Sequence, residues 1–94
     1  MLGSLQILNG KRMDSRDHAH AHLVRRLHLP QYYGRNLDAL SDYLSEIGRP
    51  TTILVRNAAS LRESLGDYGS RLLAVLDDAA KKNALLTILL RERI

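Results

Sequence analysis

The sequence predicts an α/β protein with a three-stranded parallel sheet packed with about four helices. Three short segments rich in apolar or β-branched residues are typical of strands, and two longer segments separate them. Each longer segment carries apolar residues at helical spacing and is broken once by a turn signal, which predicts two helices. The resulting order is β-α-α-β-α-α-β. Strands joined through helices run parallel with right-handed crossovers, so this order predicts a parallel sheet.

The chain begins with a strand and a helix. Leu5 to Leu8 is a short apolar strand, and the Asn9-Gly10 pair that follows favours a tight turn with positive φ. Asp14 or Ser15 can cap the first helix. That helix is expected to stop at Leu29-Pro30, because the residue before a proline avoids helical backbone.

The middle of the chain supplies the second helix, the second strand and the third helix. Asn36 is the predicted cap of the second helix, and Gly48 is its predicted end. Thr51 to Val55 is rich in β-branched residues and has no breaker, which indicates a buried strand. Asn57 or Ser60 then begins a short third helix.

The last third is expected to contain a loop, a helix and a strand. Gly66 to Gly69 reads as a loop, after which Ser70 caps the fourth helix. Asn83 is the predicted left-handed residue at the end of that helix. Leu85 to Leu90 is apolar on both faces, as in a parallel strand covered by helices. The polar tail, Arg91 to Ile94, is expected to fray.

Composition limits the class of protein. The 94 residues suit a single domain, residues 1–94, and the absence of cysteine excludes disulfides, zinc–thiolate sites and a cysteine nucleophile. Small secreted domains usually need disulfides for stability, so the absence of cysteine favours a reducing compartment. We therefore expect a cytoplasmic protein. Met1 to Leu8 lacks the pattern of a signal peptide, and no apolar run approaches the roughly 20 residues that cross a bilayer.

Nothing in the sequence supports an enzyme, a metal site or a cofactor. The chain has no phosphate-binding glycine loop, no nucleophile elbow and no metalloprotease helix motif. His18, His20 and His22 alternate, and on a helix only His18 and His22 share a face. Such a pair could bind zinc if a third ligand arrived, but exposed polar helix positions are the favoured interpretation.

Charged residues give a weaker indication of a partner. The net charge is +4, yet lysine and arginine are scattered without a recognisable nucleic-acid module, so direct nucleic-acid binding is not the favoured reading. Asp38 and Asp42 stand at i,i+4 on the second helix, away from its apolar stripe. Two carboxylates so placed repel each other mildly, which hints at a partner with cationic groups.

One segment resembles a known family. Leu29-Pro30-Gln31-Tyr32-Tyr33-Gly34-Arg35-Asn36-Leu37-Asp38-Ala39-Leu40-Ser41-Asp42 closely resembles the core motif of the barstar family, Leu-Pro-x-Tyr-Tyr-Gly-x-Asn-Leu-Asp-Ala-Leu-x-Asp. Ile7 to Gly10 resembles the first strand and turn of that family. Pro50 with the strand after it, and the last helix and strand, follow the family's order. The resemblance therefore covers nearly the whole chain.

The resemblance implies a function. Proteins of this family are bacterial intracellular inhibitors of microbial ribonucleases, and their second helix and its preceding loop occupy the enzyme's active site. Acidic side chains then take the place of RNA phosphates. The implied partner-binding residues are Tyr32, Gly34, Asp38, Ser41, Asp42, Ser45 and Asp78. Asp42 matches the carboxylate that enters the catalytic centre, and the protein is expected to be a monomer.

Several departures from the family bear on the partner. Ser41 stands where the type member has a Trp, Asp78 where it has a longer Glu, and Lys82 where it has an acid. The type member is strongly acidic, whereas this chain is basic, which indicates either an acidic or neutral ribonuclease as the target or a role that has drifted from that of the family. An immunity protein against a delivered nuclease toxin and a basic RNA-associated module are the alternatives. The resemblance also implies a cis Arg49-Pro50 bond.

Overall fold

The computed structural model describes residues 3–94 and confirms the predicted class, element order and parallel sheet. Met1 and Leu2, the start of the segment expected not to be a signal peptide, lie outside the described residues. The strands and helices are β1 (Ser4–Asn9), α1 (Arg16–Leu27), α2 (Leu37–Ser45), β2 (Thr51–Arg56), α3 (Ala58–Leu65), α4 (Asp67–Lys82) and β3 (Leu86–Leu90). A short 3-10 helix, Gly10–Arg12, follows β1.

The central strand of the sheet is β2, with β1 and β3 parallel on either side. Leu8 of β1 pairs with Val55 of β2. Ile53 is two residues before Val55 and so lies on the same face of β2. All three side chains are fully buried. Because alternate residues of a strand share a face, this face is the one on which the helices pack. Leucines of the helices fill the space against it.

The opposite face of the sheet is only partly covered. Leu5 is 60% exposed and Leu89 is 50% exposed, while Ile7 and Leu54 between them are half-buried. The sequence pattern left open whether helices cover one face of the sheet or both, and the structure shows that they pack on one face. β3 is an edge strand, and its apolar composition alone could not distinguish a covered face from an open one.

Side chains cap the first two helices as predicted. The Ser15 hydroxyl accepts a hydrogen bond from the His18 amide at 3.1 Å, and the Asn36 side-chain oxygen accepts one from the Ala39 amide at 2.7 Å. Both satisfy backbone N–H groups that a helix start leaves without a partner. The predicted end of α2 at Gly48 is wrong, because the helix ends at Ser45.

The predicted loop before α4 is also wrong. Gly66, with φ +57°, both ends α3 and precedes the first residue of α4, Asp67. Ser70 is therefore inside the helix and its amide donates to the Gly66 carbonyl. A positive φ is cheap for glycine, so one residue is enough to turn the chain between the two helices.

Asn83 ends α4 in extended backbone, with φ −121° and ψ 106°, and not in the predicted left-handed conformation. Its side-chain amide donates to the carbonyls of Leu44 at 3.1 Å and Ile47 at 3.0 Å. Its side-chain oxygen accepts from the Leu85 amide at 3.0 Å. The residue thus joins the end of α2 to the connection between α4 and β3.

The turn after β1 does not use a positive φ: Asn9, with φ −118°, caps the 3-10 helix, and Gly10 does not have a positive φ either. Gly10 instead allows the turn to pack closely against Asn57, because a Cβ atom at Gly10 would lie 2.0 Å from the Asn57 carbonyl oxygen. Asn57, rather than Ser60, precedes α3, and its side chain donates to Asn9 at 2.8 Å. These contacts with Asn57 therefore fix the turn after β1 against the start of α3.

Two further expectations are corrected at the chain's connections. The Arg49–Pro50 peptide bond is trans. The expected fraying does not begin at Arg91, whose carbonyl accepts from the Ala58 amide at 2.9 Å and whose amide donates to the Val55 carbonyl at 2.8 Å. Arg91 thus extends the hydrogen bonding of the sheet and accepts a hydrogen bond from a backbone N–H at the start of α3. Among residues 3–94, no helix has the length and hydropathy needed to cross a bilayer.

Candidate functional site

The exposed side of α2 carries four of the residues singled out in the sequence. They recur at i, i+3, i+4 and i+7 and so form one stripe along the helix: Asp38, Ser41, Asp42 and Ser45. All four are exposed, whereas Leu40 and Leu44 on the opposite side are fully buried. The burial of the leucines fixes the orientation of the helix. The polar stripe is consequently presented outward as a unit.

Helix α4 brings a fifth predicted residue to the same surface. Asp78 lies with Ser41 and Ser45 along a groove of about 220 Å³ between α2 and α4. Lys82, one turn after Asp78, lines the groove as well. A cation therefore lies beside the acid at this end of the candidate surface.

The loop before α2 supplies Tyr32 and Gly34, which are both exposed. Tyr32 is 89% exposed, while its neighbour Tyr33 is buried at 9%. The left-handed residue that turns the chain into α2 is Arg35, with φ 54°, and not Gly34.

The structure corrects the expectation that the histidines of α1 are exposed polar positions. His18 is exposed, but His20 is only 2% exposed and His22 only 7% exposed. His22 accepts a hydrogen bond from the Asn9 amide at 2.9 Å. Within residues 3–94, no three metal-ligating side chains lie close enough together to hold a metal ion.

His20 connects the loop before α2 to α4. Its Nδ1 lies 2.7 Å from the Tyr33 hydroxyl, and its Nε2 lies 2.7 Å from the Tyr68 hydroxyl. The Tyr33 hydroxyl in turn donates to the Asn36 carbonyl at 3.5 Å. One proton arrangement satisfies all three contacts: Tyr68 donates to Nε2, Nδ1 donates to Tyr33, and Tyr33 donates onward. Burial, with a smaller contribution from Tyr68, raises the pKa of Tyr33 to about 12.

Both buried histidines should make the stability depend on pH. Burial lowers the pKa of His20 and of His22 below the ordinary value of 6.5, and nearby arginines lower both further. The unfolded chain then binds more protons than the folded protein in mild acid, so the free energy of unfolding rises with pH. We expect full stability above 6.5 and loss of stability as the pH falls below that value.

Urea denaturation at about pH 8 and about pH 5 would measure this dependence. A lower midpoint is expected at the acid pH. His22→Gln should reduce the difference, whereas His28→Asn, at an exposed left-handed position, should leave it unchanged. Equal midpoints at the two pH values for the unaltered protein would contradict the expectation.

A group of arginines beside α2 was not foreseen from the sequence. Arg16, Arg35 and Arg71 line a cleft of about 390 Å³ together with Asp38. They come from α1, from the loop before α2 and from α4, so no local spacing could have grouped them. The arginine cluster, as we call these three residues, places positive charge directly beside the first carboxylate of the stripe.

Comparison with known proteins identifies the family of the chain. The family model described as Barstar (barnase inhibitor) matches residues 4–91, almost the whole chain. A protein of Bacillus subtilis (strain 168), named "Putative ribonuclease inhibitor YrdF", is 34% identical over 77 residues, which are 81% of this chain and 85% of that protein. The residues matched by the family model run from β1 to β3 and include α2. The chain belongs to the barstar family.

Proposed function

We propose that the protein is a non-enzymatic ribonuclease inhibitor that occludes an active site with the exposed side of α2. The family and the name of the Bacillus relative support a ribonuclease as the partner. The inhibitor would act as a single domain and a monomer in the bacterial cytoplasm, without a cofactor. Tyr32 and Gly34 in the loop and Asp78 on α4 would extend the contact on either side of the helix.

The polar stripe of α2 is the observation that carries this proposal. Asp38 and Asp42 are exposed on one side of a helix, and neither forms an ion pair within residues 3–94. Ribonucleases bind RNA phosphates with cationic side chains, and carboxylates offer those side chains a similar acceptor. The two aspartates are therefore free to pair with cations of an enzyme.

The position of the two aspartates separates their roles. Asp38 is in the first turn of α2, where the helix dipole already stabilises a carboxylate. Asp42 is one turn later and gains less from the dipole, so its charge contributes little to the helix itself. A partner's cations are the remaining source of stabilisation for Asp42, which makes it the central residue of the proposed contact.

Inhibition of purified enzymes tests the proposal directly. Cleavage of a fluorogenic RNA by two guanyl-type microbial ribonucleases, one acidic and one basic, would be measured as the protein is added. We expect complete loss of cleavage by one of them at equimolar protein. Full activity of both enzymes at saturating protein would overturn the proposal.

A further inference from the structure

The arginine cluster is held in place by an aromatic ring. The guanidinium carbon of Arg16 lies 4.0 Å from the centre of the Tyr68 ring, and that of Arg71 lies 5.5 Å from it. Cations at such distances are attracted to the face of the ring. Tyr68 is itself fixed by its hydrogen bond to His20. Two of the three guanidinium groups are therefore ordered before any partner arrives.

Within the described residues no carboxylate forms an ion pair with the cluster, although Asp17 and Asp38 line the same cleft. The ion pairs of residues 3–94 are His18–Asp14, Arg62–Glu92 and Lys81–Asp77, and none of them includes a member of the cluster. Burial lowers the pKa of His20, the charges of Arg35 and Arg16 lower it further, and the charge of Asp17 acts in the opposite direction. The fold thus keeps three like charges together beside a buried histidine, which costs stability.

Arg35 adds a second cost. Its φ of 54° lies in the left-handed region, which is unfavourable for a residue with a Cβ atom. Strained backbone of this kind is concentrated at functional sites. The side chain it carries is exposed and makes no ion pair within the described residues. Apart from the contacts of Arg16 and Arg71 with the Tyr68 ring, no ion pair within the described residues offsets these costs, which points to a contact with a ligand.

We propose that the arginine cluster receives carboxylate side chains of the protein partner, so that the cognate ribonuclease carries acidic residues next to the cations that bind Asp38 and Asp42. This inference rests on the proposed function and identifies the kind of enzyme the protein fits. The cluster and Asp38 line the same cleft, so one docked surface would meet both charges. An acidic enzyme would also be attracted at long range by the net charge of +4.

The mixture of charges in the cleft favours a protein over RNA as the occupant. Asp17 and Asp38 line the cleft together with the three arginines. A nucleic-acid strand is negative throughout, so it would bring phosphates against these carboxylates as well as against the arginines. A protein surface can place an acid opposite each arginine and a cation opposite each aspartate.

Replacing two members of the cluster tests the inference. The affinities of Arg35→Gln and Arg71→Gln for the acidic and the basic ribonuclease would be compared with those of the unaltered protein. We expect each variant to bind the acidic enzyme about tenfold more weakly, as is typical when a hydrogen-bonded charge pair is lost. The unaltered protein is expected to bind the basic enzyme weakly, and each variant should bind that enzyme with the same affinity or more tightly.

Arg93→Gln is the matched control, because it removes the same charge from the exposed tail. We expect its affinity to change less than twofold, which would separate a local contact from the effect of net charge. The unfolding midpoints of all three variants would show that each is folded. Asp42→Ala is measured alongside to report on the proposed function itself.

Separate outcomes distinguish the two proposals. If Asp42→Ala abolishes binding while both cluster variants bind the acidic enzyme like the unaltered protein, the inference fails and the inhibitor function stands. If neither enzyme is bound at all, the inhibitor function fails for this enzyme class. Binding of a fluorescent peptide of six glutamates and of a short single-stranded RNA at low salt then decides the inference alone.

In that second measurement, the inference is supported if the peptide binds and both cluster variants weaken it while Arg93→Gln does not. It is overturned if the RNA binds through the cluster and the peptide does not. It is also overturned if neither ligand depends on Arg35 or Arg71, because the cluster would then have no carboxylate-binding capacity.

Discussion

Asp42→Ala is expected to weaken binding of the cognate ribonuclease by on the order of 100-fold or more. Removing one partner of a desolvated charge pair costs about 2–5 kcal/mol, because the other charge is left buried without compensation. A tenfold change in affinity corresponds to about 1.4 kcal/mol. The matching carboxylate is a known hot spot of the family's type complex, so the large size of this effect is carried over from the family.

Calorimetric titration would measure the effect, and Glu63→Ala is its matched control. Glu63 is an exposed carboxylate on α3, away from the stripe on α2. Its removal changes the net charge by the same amount, so only a local contact can separate the two variants. Equal losses of affinity for both variants, or no loss for either, would argue against the proposed role of Asp42.

Gly10→Ala is expected to destabilise the fold more than any surface substitution. The added Cβ atom would meet the Asn57 carbonyl oxygen at 2.0 Å and the Leu61 side chain at 3.1 Å. Because the first of these atoms belongs to the backbone, relief requires the turn after β1 to move away from α3. We expect a loss of about 3 kcal/mol or more, set against a total on the order of 5 kcal/mol for a small domain.

Gly48→Ala makes the same chemical change where there is room for it. The nearest atom to its added Cβ, the Glu46 carbonyl oxygen, lies at 3.9 Å, which is an ordinary contact. Its φ is not positive, so alanine should be tolerated or should stabilise slightly by restricting the unfolded chain. Urea denaturation of both variants would compare them, and a Gly10→Ala midpoint equal to that of Gly48→Ala would contradict the expectation.

The sheet and the exposed stripe of α2 could be predicted because their signals are local. The strand at residues 51–55 is rich in β-branched residues, and Asp38 and Asp42 follow directly from helical spacing after the Asn36 cap. The motif resemblance then gave the family. These features depend on residues that are neighbours in the sequence, which is the range that pattern reasoning can reach.

The start of α4 could not be predicted, because Gly69, near its start, is needed for packing between helices. The pair Gly66 and Gly69 is typical of a loop, yet Gly69 lies inside the helix. A Cβ atom at Gly69 would come within 2.9 Å of the Leu61 carbonyl oxygen, so glycine allows α3 and α4 to pack closely. The glycine at position 69 is explained only by its close contact with α3.

The same reason applies to the buried histidines and the arginine cluster. His20 is buried because Tyr33 and Tyr68, 13 and 48 residues away, satisfy its two ring nitrogens. Because those partners are distant in the sequence, the alternating run of histidines predicted exposed polar positions, and this prediction is wrong for His20 and His22. Arg16, Arg35 and Arg71 are also far apart in the sequence, so their grouping depends wholly on the tertiary fold.

The ties at the two ends of α2 have a consequence for how the protein would meet its partner. At the start, Tyr33 is joined through His20 to Tyr68, and at the end the Asn83 side chain holds the carbonyls of Leu44 and Ile47. A helix fixed at both ends loses little conformational freedom when another molecule covers it. Recognition should then resemble the docking of two rigid bodies, with a heat capacity change that reflects buried surface alone and no contribution from coupled folding.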